Sequence, residues 1–95
     1  MERAFDGEIH YWRGPAPYHF VALPVDDALA VEAVAESVTY GWGMVPVAVT
    51  IGETTWTTSL WPKDGSYVVP LKDKVRQAEG IELGMVVTVR LAIEV

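Results

Sequence analysis

Asp6, Glu8 and His10 fall on alternate positions of one segment and His19 follows shortly after, a set of carboxylate and imidazole donors that could bind a metal ion or move a proton. Alternate residues of a strand lie about 7 Å apart, too far for one ion to be held by all three without donors from another strand. An outward polar stripe is therefore expected, with no metal and no cofactor, and a small enzyme using His10 or His19 with Glu8 or Asp6 is an alternative that requires these groups to converge. Ser59 has no glycine elbow and no His or acid tied to it by spacing, so no catalytic residue is assigned.

Lys72 and Arg76 are four residues apart on an expected helix face and could clamp a phosphate or carboxylate, but Asp73 and Glu79 interleave with them, which points to a solvated, internally paired face. The aromatic residues are more informative. Trp12, Tyr18, Tyr40, Trp42, Trp56, Trp61 and Tyr67 are too many large rings for the interior of so small a domain, so some must line a groove, a ligand pocket or a subunit contact. Trp56 and Trp61 could instead cap the ends of a barrel. The expected binding residues are Tyr40, Trp42, Trp61 and Tyr67, with Lys72 and Arg76 beside them. Trp42 lies between two glycines, in a loop with little packing reason to carry an indole.

The 95 residues are expected to form one domain, and at this length only somewhat more than roughly 60% of the unfolded surface is buried. A 51% hydrophobic composition with no cysteine supplies a core and excludes disulfides, thiolate chemistry and cysteine zinc sites. The net charge of −6 is uneven: residues 1–62 hold eight acids and two bases, residues 63–95 five of each. General affinity for nucleic acid through phosphate neutralisation is disfavoured. No apolar run is long enough to span a bilayer and the first residues lack the apolar core of a signal peptide, so a cytoplasmic location is expected.

The elements that must position these residues follow from periodicity. Phe5, Gly7, Ile9 and Tyr11 alternate with polar residues over a first strand from about Ala4 to Trp12; Arg13 to Pro17 breaks it, and Tyr18 to Leu23 forms a second strand hairpinned to the first. Pro24 to Asp27 opens a helix capped by aspartate that runs to about Val38, with Ala30, Val31, Val34 and Val38 on its apolar side. Val45 to Ile51 and Thr54 to Trp61 are strands joined by Gly52-Glu53, a hairpin turn whose first central residue needs positive φ. Pro62 is expected to end the second of these. Ser66 to Val69 is a short strand closed by Pro70, Leu71 to Glu79 a short amphipathic helix ended by Gly80, and Val87 to Ile93 a final strand. The fold predicted is mainly β: a small closed barrel of about six strands, which removes exposed edges, with two short α-helices over its ends.

The ordered set Phe5, Tyr18, Phe20, Val21, Leu23-Pro24, Gly41-Trp42-Gly43, Val45, Val47, Ile51-Gly52, Thr58 to Pro62, Gly65, Tyr67, Pro70-Leu71-Lys72, Val75-Arg76, Gly80-Ile81 and Gly84 resembles the bacterial domain-of-unknown-function family numbered nineteen-oh-five. The resemblance covers nearly the whole chain. It implies a double-split β-barrel and no established activity; members are sometimes joined to a YdeI/OmpD-associated segment, for which this chain is too short. Members usually carry Asp where Met85 stands, and a carboxylate there would cap the turn, so a role for that acid does not transfer. Val69 to Val89 is also similar to the proline-helix-glycine pattern of AbrB/MazE-type regulators, which bind DNA as intertwined dimers. The function expected is a non-catalytic binding module that contacts a protein partner, a second copy of itself or a small ligand through an aromatic-lined surface; the AbrB-like DNA-binding dimer using Lys72, Lys74 and Arg76 is the alternative.

Overall fold

The computed structural model describes residues 1–15, 18–39, 41 and 43–94. Among them are seven strands and two helices: β1 Glu2–Glu8, β2 His10–Trp12, β3 Tyr18–Ala22, α1 Val25–Val38, β4 Val45–Ile51, β5 Thr54–Lys63, β6 Ser66–Leu71, α2 Asp73–Glu79 and β7 Val86–Ala92. The strands form one antiparallel sheet in the order β1-β7-β4-β5-β6-β3-β2. It curls into a half-barrel and does not close, so the expected closed six-stranded barrel is corrected to an open, mainly β sheet of seven strands.

The reason lies at Ile9. The expected single first strand is two, because Glu2–Glu8 pairs with Val86–Ala92 of β7 while His10–Trp12 pairs with Tyr18–Phe20 of β3. Only the second part makes the expected hairpin. β1 has β7 as its neighbour and β2 has β3, so the two parts lie at opposite edges of the sheet and no ladder among the described residues joins those edges. The edges meet through the chain instead. Ile9 is fully buried, its N–H bonds to Met85 O at 2.8 Å, and its carbonyl accepts the Gly84 N–H at 3.0 Å. Gly7 allows β1 to lie close against β3, since a Cβ there would sit 2.3 Å from Val21 Cγ1.

Strand alternation sends Val45, Val47, Val49, Ile51, Leu60, Val69, Leu71, Val89 and Leu91 into the concave face, where they join Ile9, Val21, Val31, Val75 and Ile81 in one core. Helix α1 covers this face, burying Ala28 and Val31. Its N-cap is Pro24, with no side-chain cap bond, rather than an aspartate. Asp27 is turned to another use: it is buried and accepts a 2.8 Å hydrogen bond from Arg3 Nε, tying the helix to β1.

Three prolines lie inside strands, and β5 and β6 run on past Pro62 and Pro70, where the sequence suggests they stop. The register explains why they are tolerated. The β4–β5 ladder ends at Val45↔Leu60, so at Pro62 the β4 flank is vacant; the β5–β6 ladder ends at Trp61↔Val68, short of Pro70; and the β4–β7 ladder spans Ala48–Thr50, leaving Pro46 outside it. Each missing N–H can face a flank with no neighbouring strand. Gly52 turns the β4–β5 hairpin at φ 59°, and Gly80 ends α2 in the left-handed region at φ 62°. No helix among the described residues is long and apolar enough to cross a membrane.

Candidate functional site

On β2, β3, β6 and the second half of β5, the convex face is built from alternating positions whose register brings rings together. Trp12 lies opposite Tyr18, His10 opposite Phe20, Phe20 opposite Pro70, and Trp61 opposite Val68. Tyr18 and Trp61 meet edge to face at 5.3 Å between centroids, Tyr18 and Phe20 tilt against each other at 5.9 Å, and Phe20 stacks on His10 at 5.5 Å. Lys63 reaches across to place Nζ 4.7 Å from the centre of the Trp12 ring, a cation–π contact. The result is a connected aromatic surface across four strands. Trp12 and Trp61 remain 41% and 39% exposed on it, far more than packing of the core requires.

Two open grooves flank the Tyr18–Trp61 pair. The first, about 370 Å³, is walled by Trp12, Tyr18 and Trp61 with Pro15, Pro62 and Lys63. The second, about 510 Å³, lies on the other side of the same two rings, against Pro70, Leu71 and Lys72. The Tyr18–Trp61 pair is thus a ridge between them.

The structure distributes the residues expected from sequence unevenly. Trp61 lies at the centre of the surface and Lys72 at its edge, just ahead of α2. Tyr67 is on the opposite face of β6, half-buried against the core, where burial first and Glu32 second push its phenol above the usual range. Arg76 donates its backbone N–H to Lys72 O at 3.1 Å, but its side chain is engaged within α2: Nη2 bonds Asp73 Oδ1 at 2.9 Å, and its buried Nε has no acceptor among the described residues. Tyr40 and Trp42 lie outside the described residues. Trp56 packs partly into the core, so the two indoles of β5 have different roles.

The carboxylate and imidazole set does not converge. Asp6 accepts a hydrogen bond from the Thr88 hydroxyl, and Glu8 lies 3.8 Å from His10 on an exposed edge. His19 is on the opposite face of β3 from His10's partner Phe20 and packs edge-on against Tyr11 at 4.8 Å. Burial, with the Arg76 guanidinium adding to it, lowers the His19 pKa from its ordinary 6.5. No group of three or more His, Asp or Glu able to hold a metal ion occurs among the described residues.

Trp12, Tyr18, Phe20 and Lys63 were not among the expected binding residues, although the signal was available. In a hairpin, Trp12 and His10 share a face with Tyr18 and Phe20 by alternation alone. At the turn before β7, Met85 supplies an acceptor of its own, with its sulfur 3.1 Å from the Glu82 backbone N.

The fold and surface define a mainly β half-barrel with an aromatic convex face. The family model described as Domain of unknown function (DUF1905) matches residues 5–91, and the chain belongs to that family. No curated protein matches it.

Proposed function

We propose that the protein is a non-catalytic binding module whose contact surface is the aromatic convex face carried by β2, β3, β6 and the end of β5. One observation carries this reading: Trp12 and Trp61, two of the four tryptophans, stay about two-fifths exposed on one surface and flank a ring-lined groove. Exposed indole is costly to keep in water and is enriched where proteins meet partners. Lys72 belongs to the edge of the surface, whereas Tyr67 and Arg76, held elsewhere, do not form part of it. The occupants this surface suits are a protein segment, a second copy of the chain or a small apolar ligand. A cytoplasmic setting goes with the proposal, in keeping with a chain without cysteine.

The test is an NMR titration of the ¹⁵N-labelled protein, reading its indole N–H signals. The probes are a proline-rich peptide, ADP, a cello-oligosaccharide and a DNA duplex, together with dilution of the protein itself. At least one should move Trp12 and Trp61 while leaving Trp56 in place. If every shift maps away from Trp12 and Trp61, or none occurs, the surface is not a binding face.

A further inference from the structure

Resting on that reading, we infer that the paired grooves around Tyr18 and Trp61 recognise an extended, proline-rich peptide with acidic flanking residues. Shape gives the first reason. The grooves are shallow and open and lie on both sides of one aromatic ridge, whereas small-molecule sites enclose most of their ligand. Two troughs separated by a ridge suit a chain that crosses it. A polyproline II helix repeats every three residues, about 9 Å, and presents ring edges to both troughs while keeping its preformed, low-entropy backbone.

Hydrogen-bonding capacity gives the second reason. The aromatic residues at the grooves carry donors or hydroxyls, the indole N–H of Trp61 and the phenol of Tyr18, with the ammonium groups of Lys63 and Lys72 beside them, while the Trp12 indole nitrogen lies against Gly14. At the second groove the Asp73 carboxylate accepts from Arg76 through Oδ1 and Thr58 adds a hydroxyl. The ring and ammonium groups on the ridge and at its two sides are donors, which matches a ligand that offers carbonyl oxygens and few N–H groups. Proline has no N–H, so a proline-rich backbone is such a ligand. A saccharide, whose hydroxyls both give and accept, is ordinarily met by amide and acid side chains, and this chain has no Asn and a single Gln.

Charge gives the third. The chain carries −6, yet Lys63 stands at the outer end of the first groove and Lys72 at the second. Lys63 pairs with its exposed neighbour Asp64 at 3.2 Å and lies over the Trp12 ring. Acidic residues on either side of the proline run would meet these two ammonium groups. A single-stranded nucleic acid could also use rings and lysines, but it would bring a charge on every phosphate to a strongly acidic protein.

The test uses an acetylated peptide of six prolines flanked by two glutamates at each end, titrated into the full chain and read at the indole N–H signals. Binding should shift Trp12 and Trp61, weaken about tenfold when alternate prolines are replaced by alanine, and weaken about fivefold when the glutamates become lysines. Trp61→Ala should reduce affinity at least tenfold, and Lys72→Glu about fivefold. Tyr18→Phe, which keeps the ring and removes only the hydroxyl, covers the case in which Trp61→Ala perturbs the fold. Equal affinity for the proline and alanine peptides, or shifts confined to other residues, overturns the assignment. If ADP, the oligosaccharide, DNA or self-association moves Trp12 and Trp61 and the proline peptide does not, the peptide assignment falls and the aromatic binding face stands; if nothing moves them, both fall.

Discussion

The convex face of the sheet has two halves of opposite character, and the change occurs along a single strand. On β1, β7, β4 and the first part of β5 it presents Glu2, Asp6, Glu8, Arg90 and a row of threonines between small or aliphatic residues such as Ala48, Ala92 and Val86, without an aromatic ring, with Thr50 bonded to Thr55 at 2.8 Å across the hairpin. Past Ser59 the same face of β5 presents Trp61 and Lys63, and the neighbouring strands add Tyr18, Phe20 and Trp12. Both halves bury a largely apolar concave face, and on the convex side the rings of the second half lie over the buried Val68. Even so, Trp12 and Trp61 keep about two-fifths of their surface in solvent. That exposed ring area, beyond what covering Val68 requires, is the physical argument for the proposed contact surface.

The junction between the halves is the most sensitive place to break. Replacing Gly7 with Val puts a Cβ 2.3 Å from Val21 Cγ1, where β1 lies against β3. Overpacking of this kind costs about 2–3 kcal/mol, read as a lower urea midpoint. Retained stability would mean that the halves are less closely packed than the structure shows. A second joint is the Arg3–Asp27 ion pair between β1 and α1, with Asp27 buried. Asp27→Ala strands the guanidinium's partner position and should cost about 2 kcal/mol, with hydrogen exchange rising first in α1.

The convex faces themselves can be compared by paired truncations on one strand. Trp61→Ala removes the edge-to-face contact with Tyr18 and should cost about 1 kcal/mol, while Thr57→Ala, two turns of the pleat away on the same face, should stay within about 0.5 kcal/mol. Ligand binding should separate them much further than stability does. A Trp61→Ala variant that unfolds outright would make Trp61 a packing residue and erase the contrast between the halves.

Much of this is legible in the sequence. The β4–β5 hairpin, the turn at Gly52, the helix ending at Gly80 and the inward side of β7 all follow from local spacing, and local spacing is what sequence records best. The break at Ile9 was hidden because Phe5, Gly7, Ile9 and Tyr11 keep strict alternation through it; the division depends on which distant strand each half pairs with. Pro62 and Pro70 mislead for a related reason: a proline ends a strand only where the flank its N–H would face carries a neighbouring strand, and the vacancy of that flank is a property of the whole sheet. Trp12, Tyr18 and Trp61 become neighbours only through the order β5-β6-β3-β2, which no short segment encodes. Tyr40 and Trp42 lie outside the described residues.

A smaller effect belongs to the turn that closes the polar half. Met85 Sδ is a weak acceptor for the Glu82 N–H. A carboxylate there makes a stronger bond to the same amide, so Met85→Asp should stabilise the fold by about 0.5 kcal/mol, seen as a higher midpoint. A loss would show that the methionine's apolar contacts outweigh the acceptor it provides.

The smallest effect concerns His19, on the concave side of the aromatic half. Burial, and then Arg76, lower its pKa below 6.5, so the folded protein resists protonation that the unfolded chain accepts. Between the folded pKa and 6.5 the unfolded state binds more protons, and stability rises with pH across that window. The neutral ring's full contribution is present above 6.5 and is lost as pH falls through the window to the folded pKa. His19→Gln should therefore flatten the slope of stability against pH between the folded pKa and 6.5. Parallel curves for the two proteins between pH 5 and 7 would show that His19 is as solvated as a free imidazole, and with it that Arg76 is not held against this end of the aromatic half.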